Sequence, residues 1–270
     1  MDSRFAALRA IARTAFQETM RRKAFYIGAL ILMLILIMVV SSQGVLEEAS
    51  QAGESVIVLQ SHTQMIQTVF TIWNVAALFL ALYLGAVAMR SEVTAKTLPP
   101  ILSRPVERST YLAGRWIGTL IFLWGFELVG LLLGLVMARV WAVPTTPVLW
   151  IACAGAFVAV TFASGLSLAL SVAVHPALAG VLAYIVPFLP LMVDDATRHP
   201  RAIVRLPATA VYYLSPARMP ADLFTESFDK QLRHPAYWLY GHVLLENTGY
   251  VILVFVIACI VFKRREVQLR

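Results

Sequence analysis

The sequence predicts an all-α integral membrane protein with six transmembrane helices. Of its 270 residues, 60% are hydrophobic and only 14% are charged, and the mean hydropathy is +0.77. Soluble domains carry about 25% charged residues. The apolar residues also lie in six long runs, each near the roughly 20 residues that a helix needs to cross a bilayer. These observations exclude an ordinary soluble enzyme, a disordered chain and a large water-exposed domain.

The six spans belong to one predicted transmembrane domain, residues 24–262. Their predicted ranges are about 24–41, 67–89, 111–138, 148–173, 177–193 and 242–262. The fifth is short and contains Pro187 and Pro190, so we expect it to bend or break near its outer end. Residues 263–270 form a tail after the last span.

An amphipathic helix is predicted in the leader, residues 1–23. Arginines occupy one face of this helix, and apolar residues recur at helical spacing on the other: Phe5, Leu8, Ile11, Ala12, Ala15, Phe16 and Met20. A basic amphipathic helix of this kind lies along the membrane surface. A simple basic leader would explain the charge but not the periodicity, so we favour the helix.

The distribution of charge predicts the orientation in the cell (inner) membrane. The leader, the loop 90–110 and the C-terminal tail are basic, whereas residues 42–66 contain three glutamates and no Lys or Arg. Because basic loops stay on the cytoplasmic side, we expect both termini and the 90–110 loop in the cytoplasm. The 194–241 segment is also rich in Arg, but long loops obey this rule poorly, and we place it outside.

We expect no nucleic-acid site, metal site or nucleotide-binding loop in this chain. The basic residues adjoin apolar runs, so we expect membrane lipid and not nucleic acid as their partner. Cys153 and Cys259 lie inside spans without metal-ligand spacing. None of the 14 glycines is followed by Lys, which excludes a phosphate-binding G-x-x-x-x-G-K-[ST] loop. We therefore expect no cofactor or metal here, and any ATP must be bound by a separate subunit.

Polar residues inside the spans are the candidates for the translocation path: Asn74, Glu127, Glu246 and Asn247. Glu127 lies mid-way along the third span, and an ionisable residue at that depth is a functional candidate by default. A structural carboxyl that is hydrogen-bonded to a neighbouring Ser or Thr is an equally good interpretation. The small-residue pairs Gly114/Gly118 and Gly130/Gly134 predict close helix packing, which we assign to contacts within one protomer.

The cytoplasmic loop 90–108 is polar at its start and then has Leu98, Ile101, Leu102 and Val106 close together. A short helix with this apolar stripe could dock on a soluble partner. A solvated connector that folds against the membrane surface is an equally good interpretation of the residues alone.

This loop and the residues after it resemble the ABC-2 type permeases of ABC transporters. More narrowly, they resemble the nitrous-oxide-reductase maturation permeases. The pattern reads E-x4-T-L-x2-[IL]-L-S-x-P-V-x-R, and the matched residues are Glu92, Thr97, Leu98, Leu102, Ser103, Pro105, Val106, Arg108 and Gly114. The leader, with Glu18 and Arg21, is similar to the elbow helix of that family.

The resemblance implies an ABC-2 exporter fold and a permease subunit that exports an unidentified substrate. It implies two copies of an ABC ATPase subunit that bind ATP and Mg, a second permease protomer, identical or closely related, and room for an extracytoplasmic accessory protein. The loop would be the coupling helix, with Ile101 in its apolar contact and His175, after span four, as a smaller second contact. Residues 207–232 would form short helices that cap the exit.

The sequence leaves two alternative functions. Ser164-Gly165 on span four and His242 on span six are similar to the catalytic positions of rhomboid-type intramembrane serine proteases. However, Ser164 lies about 24 Å below the outer end of its span, whereas His242 lies at the outer end of its own. The second alternative is a membrane anchor that recruits a cytoplasmic protein through residues 90–108.

Overall fold

α-Helices make up the described part of the chain, in which there is no strand. This computed structural model describes residues 2–21, 28–35, 55–88, 107–146, 148–186, 201–214 and 237–264, and the single positions 26, 37, 189, 193, 197 and 198. The helices are α1 (Asp2–Arg21), α2 (Ser55–Val87), α3 (Arg108–Val140), α4 (Val148–Ala173), α5 (Pro176–Ile185), α6 (Ala202–Leu214) and α7 (Tyr237–Arg264). Residues 28–35 are also helical.

Within the described ranges, four helices are long and apolar enough to cross a membrane. The qualifying segments are Gln60–Val87, Ser109–Val140, Val148–Val172 and Gly241–Val261. They coincide with the second, third, fourth and sixth spans that the sequence predicts. The first and fifth predicted spans lie partly outside the described residues, which include the helical residues 28–35 and the ten-residue helix α5.

Helix α2 begins at Ser55, well before the predicted span start at residue 67. At 1.5 Å per residue, its 33 residues extend over about 50 Å, more than the roughly 30 Å of the hydrocarbon core. The polar stretch that includes His62 interrupts the apolar run but not the backbone hydrogen bonds. His62 stacks on Trp141, which follows α3, with ring centroids 4.6 Å apart. Hydropathy therefore marked the lipid-facing part of α2 and not its beginning.

Three of the buried clusters run along the bundle, one at each end and a middle cluster that includes Leu123 and Ala183. At one end, Ala88, Tyr111, Leu168, Val172 and Ala258 bring together the last turns of α2, α4 and α7 and the first turns of α3. The opposite end is formed by Ile35, Phe70, Trp73, Met137, Leu149 and Cys153. We call the first of these the loop end, because the chain leaves it at residue 88 and returns to it at residue 107.

Helix α6 lies in the segment predicted to be outside, and most of its described side chains are exposed; Ala208 is the buried exception. It contains Pro207, which marks the start of the region predicted to form short helices, 207–232. The part of that region beyond residue 214 lies outside the described residues, and so does the tail beyond residue 264.

Candidate functional site

Most of the predicted coupling residues lie outside the described part of the chain. These are Glu92, Thr97, Leu98, Ile101, Leu102, Ser103, Pro105 and Val106. Arg108 is the first residue of α3. The structure does describe where the loop leaves the bundle, at Ala88, and where it returns, at Glu107. These two positions define the base of the loop, where the loop joins α2 and α3.

Three helices are tied together at the base of the loop by Arg115 of α3. Its Nη1 donates to Oε2 of Glu18 on α1 at 2.6 Å, and its Nη2 donates to the carbonyl of Ala88, just after α2, at 2.7 Å. Arg115 is buried, whereas the side chain of Glu18 is 38% exposed. We refer to Arg115, Glu18 and the Ala88 carbonyl as the Arg115 node.

The chemistry of the Arg115 node follows from the helix geometry. The last carbonyls of a helix have no partner within it, and cationic side chains near a helix C-terminus satisfy them and oppose the dipole. The rigid guanidinium fork can serve a carbonyl and a carboxylate at the same time, which a lysine ammonium does less well. The node therefore joins α1, α2 and α3 where the loop begins and ends.

Close packing of α1 on α3 brings Glu18 to Arg115. A Cβ atom at Gly118 would overlap the backbone carbonyl of Ala12 and lie 2.6 Å from the Cβ of Ala15. At Gly114 a Cβ would come within 2.9 Å of the Cβ of Ile11. The first small-residue pair of span three thus packs within the protomer, as predicted, and its partner is the leader helix.

The second small-residue pair also packs within the protomer. Added Cβ atoms at Gly130 and Gly134 would overlap the rings of Trp73 and Phe70 on α2, respectively. Trp73 stacks on Phe126 at 4.3 Å, and its Nε1 donates to the Phe126 carbonyl at 3.1 Å. The two glycines therefore let α2 and α3 approach closely at the end opposite the loop.

His175 occupies the N-cap of α5, and its Nδ1 accepts a hydrogen bond from the backbone nitrogen of Ala177 at 3.3 Å. The side chain is exposed. Because Val172, one turn earlier, packs in the same cluster as Ala88, His175 lies at the loop end of the bundle. Its predicted contact with a partner is thus compatible with its position, and capping α5 is the role that the structure assigns to it.

Two of the four predicted path residues meet in the structure. Glu127 and Asn74 line one small cavity between α2, α3 and α4, together with Cys153. Glu246 and Asn247 are not among the residues that line it; Asn247 on α7 is buried and donates to the Val243 carbonyl of its own helix at 2.9 Å.

Ser164 serves helix packing. Its hydroxyl accepts from Nε1 of Trp116 at 3.2 Å and donates to the carbonyl of Thr161 at 3.0 Å. Its own carbonyl lies so close to Gly85 of α2 that a Cβ there would overlap it. These partners do not include the general base that a serine nucleophile needs, so the protease interpretation is not favoured.

The family model for ABC-2 family transporter protein matches residues 9–267, nearly the whole chain. This match includes α1 from Arg9 onward, the loop base and all four candidate spans. The chain belongs to the ABC-2 transporter family. No curated protein matches it at a significant level.

Membership in the ABC-2 family makes this chain a multi-pass membrane protein and a permease subunit of an ABC transporter. Such a subunit is a transport component that works with an ATPase partner. The general prediction from the loop motif is thereby confirmed. The narrower resemblance to the nitrous-oxide-reductase maturation permeases stays a prediction.

The sequence reasoning overlooked the role of Arg115. Glu18 entered the prediction only through the leader, and Arg115 was not among the predicted residues. A signal was present, since Arg115 is a charge within the first turns of an apolar helix and Glu18 is one of two acids in a mostly basic leader. A charge near the start of an apolar helix is a candidate for pairing with an opposite charge on another element.

Proposed function

We propose that this ABC-2 subunit is an exporter permease that receives the motion of a separate ATPase through residues 90–108. In this proposal Leu98, Ile101 and Leu102 form the apolar contact with the ATPase, and Glu92 and Arg108 anchor it. His175 adds a second, smaller contact at the same end of the bundle. ATP and Mg are bound by two copies of the ATPase subunit.

The observation that best supports this proposal is the Arg115 node. A loop that moves a permease must be attached to helices that can carry the displacement into the membrane. Ala88 and Arg115 flank this loop, and their direct hydrogen bond of 2.7 Å holds its two ends together. Through Glu18 the same node reaches α1, so a displacement of the loop would be shared by three helices.

Six spans with both termini in the cytoplasm complete the proposed topology. Gly28 lies against the ring of Phe126, and Ile35 belongs to the cluster at the end opposite the loop. Residues 28–35 thus run towards that end, as a first span would. Helix α5 starts at the loop end, and its Ala183 packs in the middle cluster, which supports a fifth span that returns outward.

Two permease protomers are part of the proposal, because six spans form one half of a translocation path in this family. The α1 helix would act as the elbow helix along the cytoplasmic membrane surface. Its exposed Phe5 and Met20 support contact with lipid.

Replacing both Leu98 and Leu102 with Asp tests the proposal. Burial of a leucine contributes about 1.5–3 kcal/mol, so losing two contacts should weaken binding of the ATPase subunit about 100-fold or more. The measurement is co-purification of the ABC ATPase encoded by the same organism, followed by its ATP hydrolysis in reconstituted vesicles. We expect normal membrane insertion, loss of the ATPase subunit and loss of permease-dependent hydrolysis.

A matched control is the same double substitution at Ile203 and Leu206, two strongly exposed apolar residues of α6. This variant should retain the ATPase subunit and its stimulated hydrolysis. Normal coupling in the Leu98/Leu102 variant would exclude the loop as the ATPase contact. Loss of coupling in both variants would show only that added acids disturb the protein, and it would remove the support for the assignment.

A further inference from the structure

A small cavity with a mostly apolar wall lies between α2, α3 and α4. Its wall includes the polar residues Glu127, Asn74 and Cys153, the indole of Trp73, and apolar residues such as Leu131. The cavity volume is about 10 Å³. In this measure, about 10–15 Å³ is the smallest space that admits one water molecule. The cavity volume is therefore at the lower limit for a single water and too small for a transported molecule.

Glu127 lines this cavity, and one of its carboxyl oxygens has no hydrogen-bond partner among the described residues. Its side chain is only 4% exposed, and Oε1 makes no hydrogen bond to the described residues. A buried polar group without a partner costs about 1–3 kcal/mol, and more if it is charged. The interpretation in which a neighbouring Ser or Thr satisfies this carboxyl does not apply to the cavity wall, because the wall has neither residue.

No cation compensates for a charge at this site. The residues that line the cavity include no Lys, Arg or His, and Cys153 of α4 is the one other titratable group among them. An ionised carboxyl inside a membrane span is expensive unless it is paired. A proton removes the charge, and a water molecule supplies the missing hydrogen bond to Oε1.

Asn74 gives the site a defined polar neighbour. Its Nδ2 donates to the carbonyl of Phe70, one turn earlier on α2, at 2.8 Å. This bond fixes the orientation of the amide at the cavity. The site thus joins polar side chains from three helices, each in a set position.

We propose that the Glu127 cavity is a binding site for one proton and one water molecule. The proton resides on the carboxyl of Glu127, and the water occupies the cavity and hydrogen-bonds to Oε1. All the residues of this site belong to this chain. The proposal for the site therefore does not depend on how the loop 90–108 contacts an ATPase. In the conformation described here, Glu127 is part of the helix-packing interior rather than of an open path.

Infrared spectra of the purified full chain in lipid vesicles at neutral pH test whether the Glu127 carboxyl is protonated. A protonated carboxyl has a C=O stretching band that is separate from the bands of a carboxylate and that shifts in D2O. We expect this band in the wild type and its loss in Glu127→Gln, which preserves size and polarity but cannot hold the proton. Glu246→Gln, a matched change in another span, should retain the band.

The water is tested by Ala156→Val, since Ala156 also lines the cavity and the added methyl groups fill a space of about 10 Å³. Expulsion of the water removes a hydrogen bond from the carboxyl, so its band should move to higher frequency. A band at the wild-type position would exclude the bound water. The proton site would be overturned by a wild type without the band, or by a band that persists in Glu127→Gln.

Discussion

Replacing Arg115 with Met separates the base of the loop from α1 and α2. Methionine keeps an unbranched apolar stem of similar length, so the packing against α1 is largely preserved. Both hydrogen bonds of the guanidinium are lost, and the carbonyl of Ala88 is left buried without that donor. We expect a less stable protein whose loop is no longer held at its two ends.

The magnitude follows from the two partners. A buried hydrogen bond to a charged group contributes about 1.5–3 kcal/mol, which applies to the 2.7 Å contact with the Ala88 carbonyl. The Glu18 side chain is 38% exposed, so solvent screens that ion pair to about 1 kcal/mol or less. We therefore expect Arg115→Met to cost about 2–4 kcal/mol and Glu18→Gln at most about 1 kcal/mol.

The assay is the free energy of unfolding in detergent micelles for the wild type, the two single variants and the double variant. The double-mutant cycle isolates the ion pair, and its coupling energy should be about 1 kcal/mol or less. Arg115→Lys keeps the charge but not the fork, and it should fall between the wild type and Arg115→Met. A change of less than about 0.5 kcal/mol in Arg115→Met would refute the reasoning.

Two further predictions concern close helix packing. Gly118→Val forces α1 away from α3 and should cost about 1–3 kcal/mol or more, seen as a lower unfolding temperature. Gly125→Val is its matched control, because a Cβ there meets nothing within 4 Å; equal effects would contradict the packing argument. Ser167→Ala removes the 2.7 Å bond to the Leu82 carbonyl and should cost about 1 kcal/mol; an unchanged unfolding temperature would contradict that role.

Some features of the fold could be predicted from sequence patterns alone. Long apolar runs predicted four helices that the structure contains, because a helix in lipid must satisfy every backbone group within itself. The loop motif from Glu92 to Arg108 predicted the family, which the match over residues 9–267 confirms. The start of α2 at Ser55 was not predicted, since helical hydrogen bonding continues through polar residues that end an apolar run.

Only part of the candidate site could be predicted from the sequence. Glu127 and Asn74 were singled out one at a time because polar residues are rare in spans. That they share a cavity with Cys153 depends on the rotation and register of three helices, which no local pattern specifies. The ion pair of Arg115 and Glu18 was not predicted for the same reason. The two residues are 97 positions apart in the chain, and no local pattern specifies that they meet.

By itself the sequence determined that this chain lies in a membrane, which segments are apolar enough to span it, and which family it belongs to. These properties are set by composition and by short motifs, so they can be predicted without knowing which residues are in contact. Only the tertiary structure decided that the glycines of α3 accept α1 and α2, that Arg115 joins the ends of the loop, and that Glu127 and Asn74 line one cavity. Each of these depends on distances between helices, and those distances arise from side-chain packing across the whole bundle.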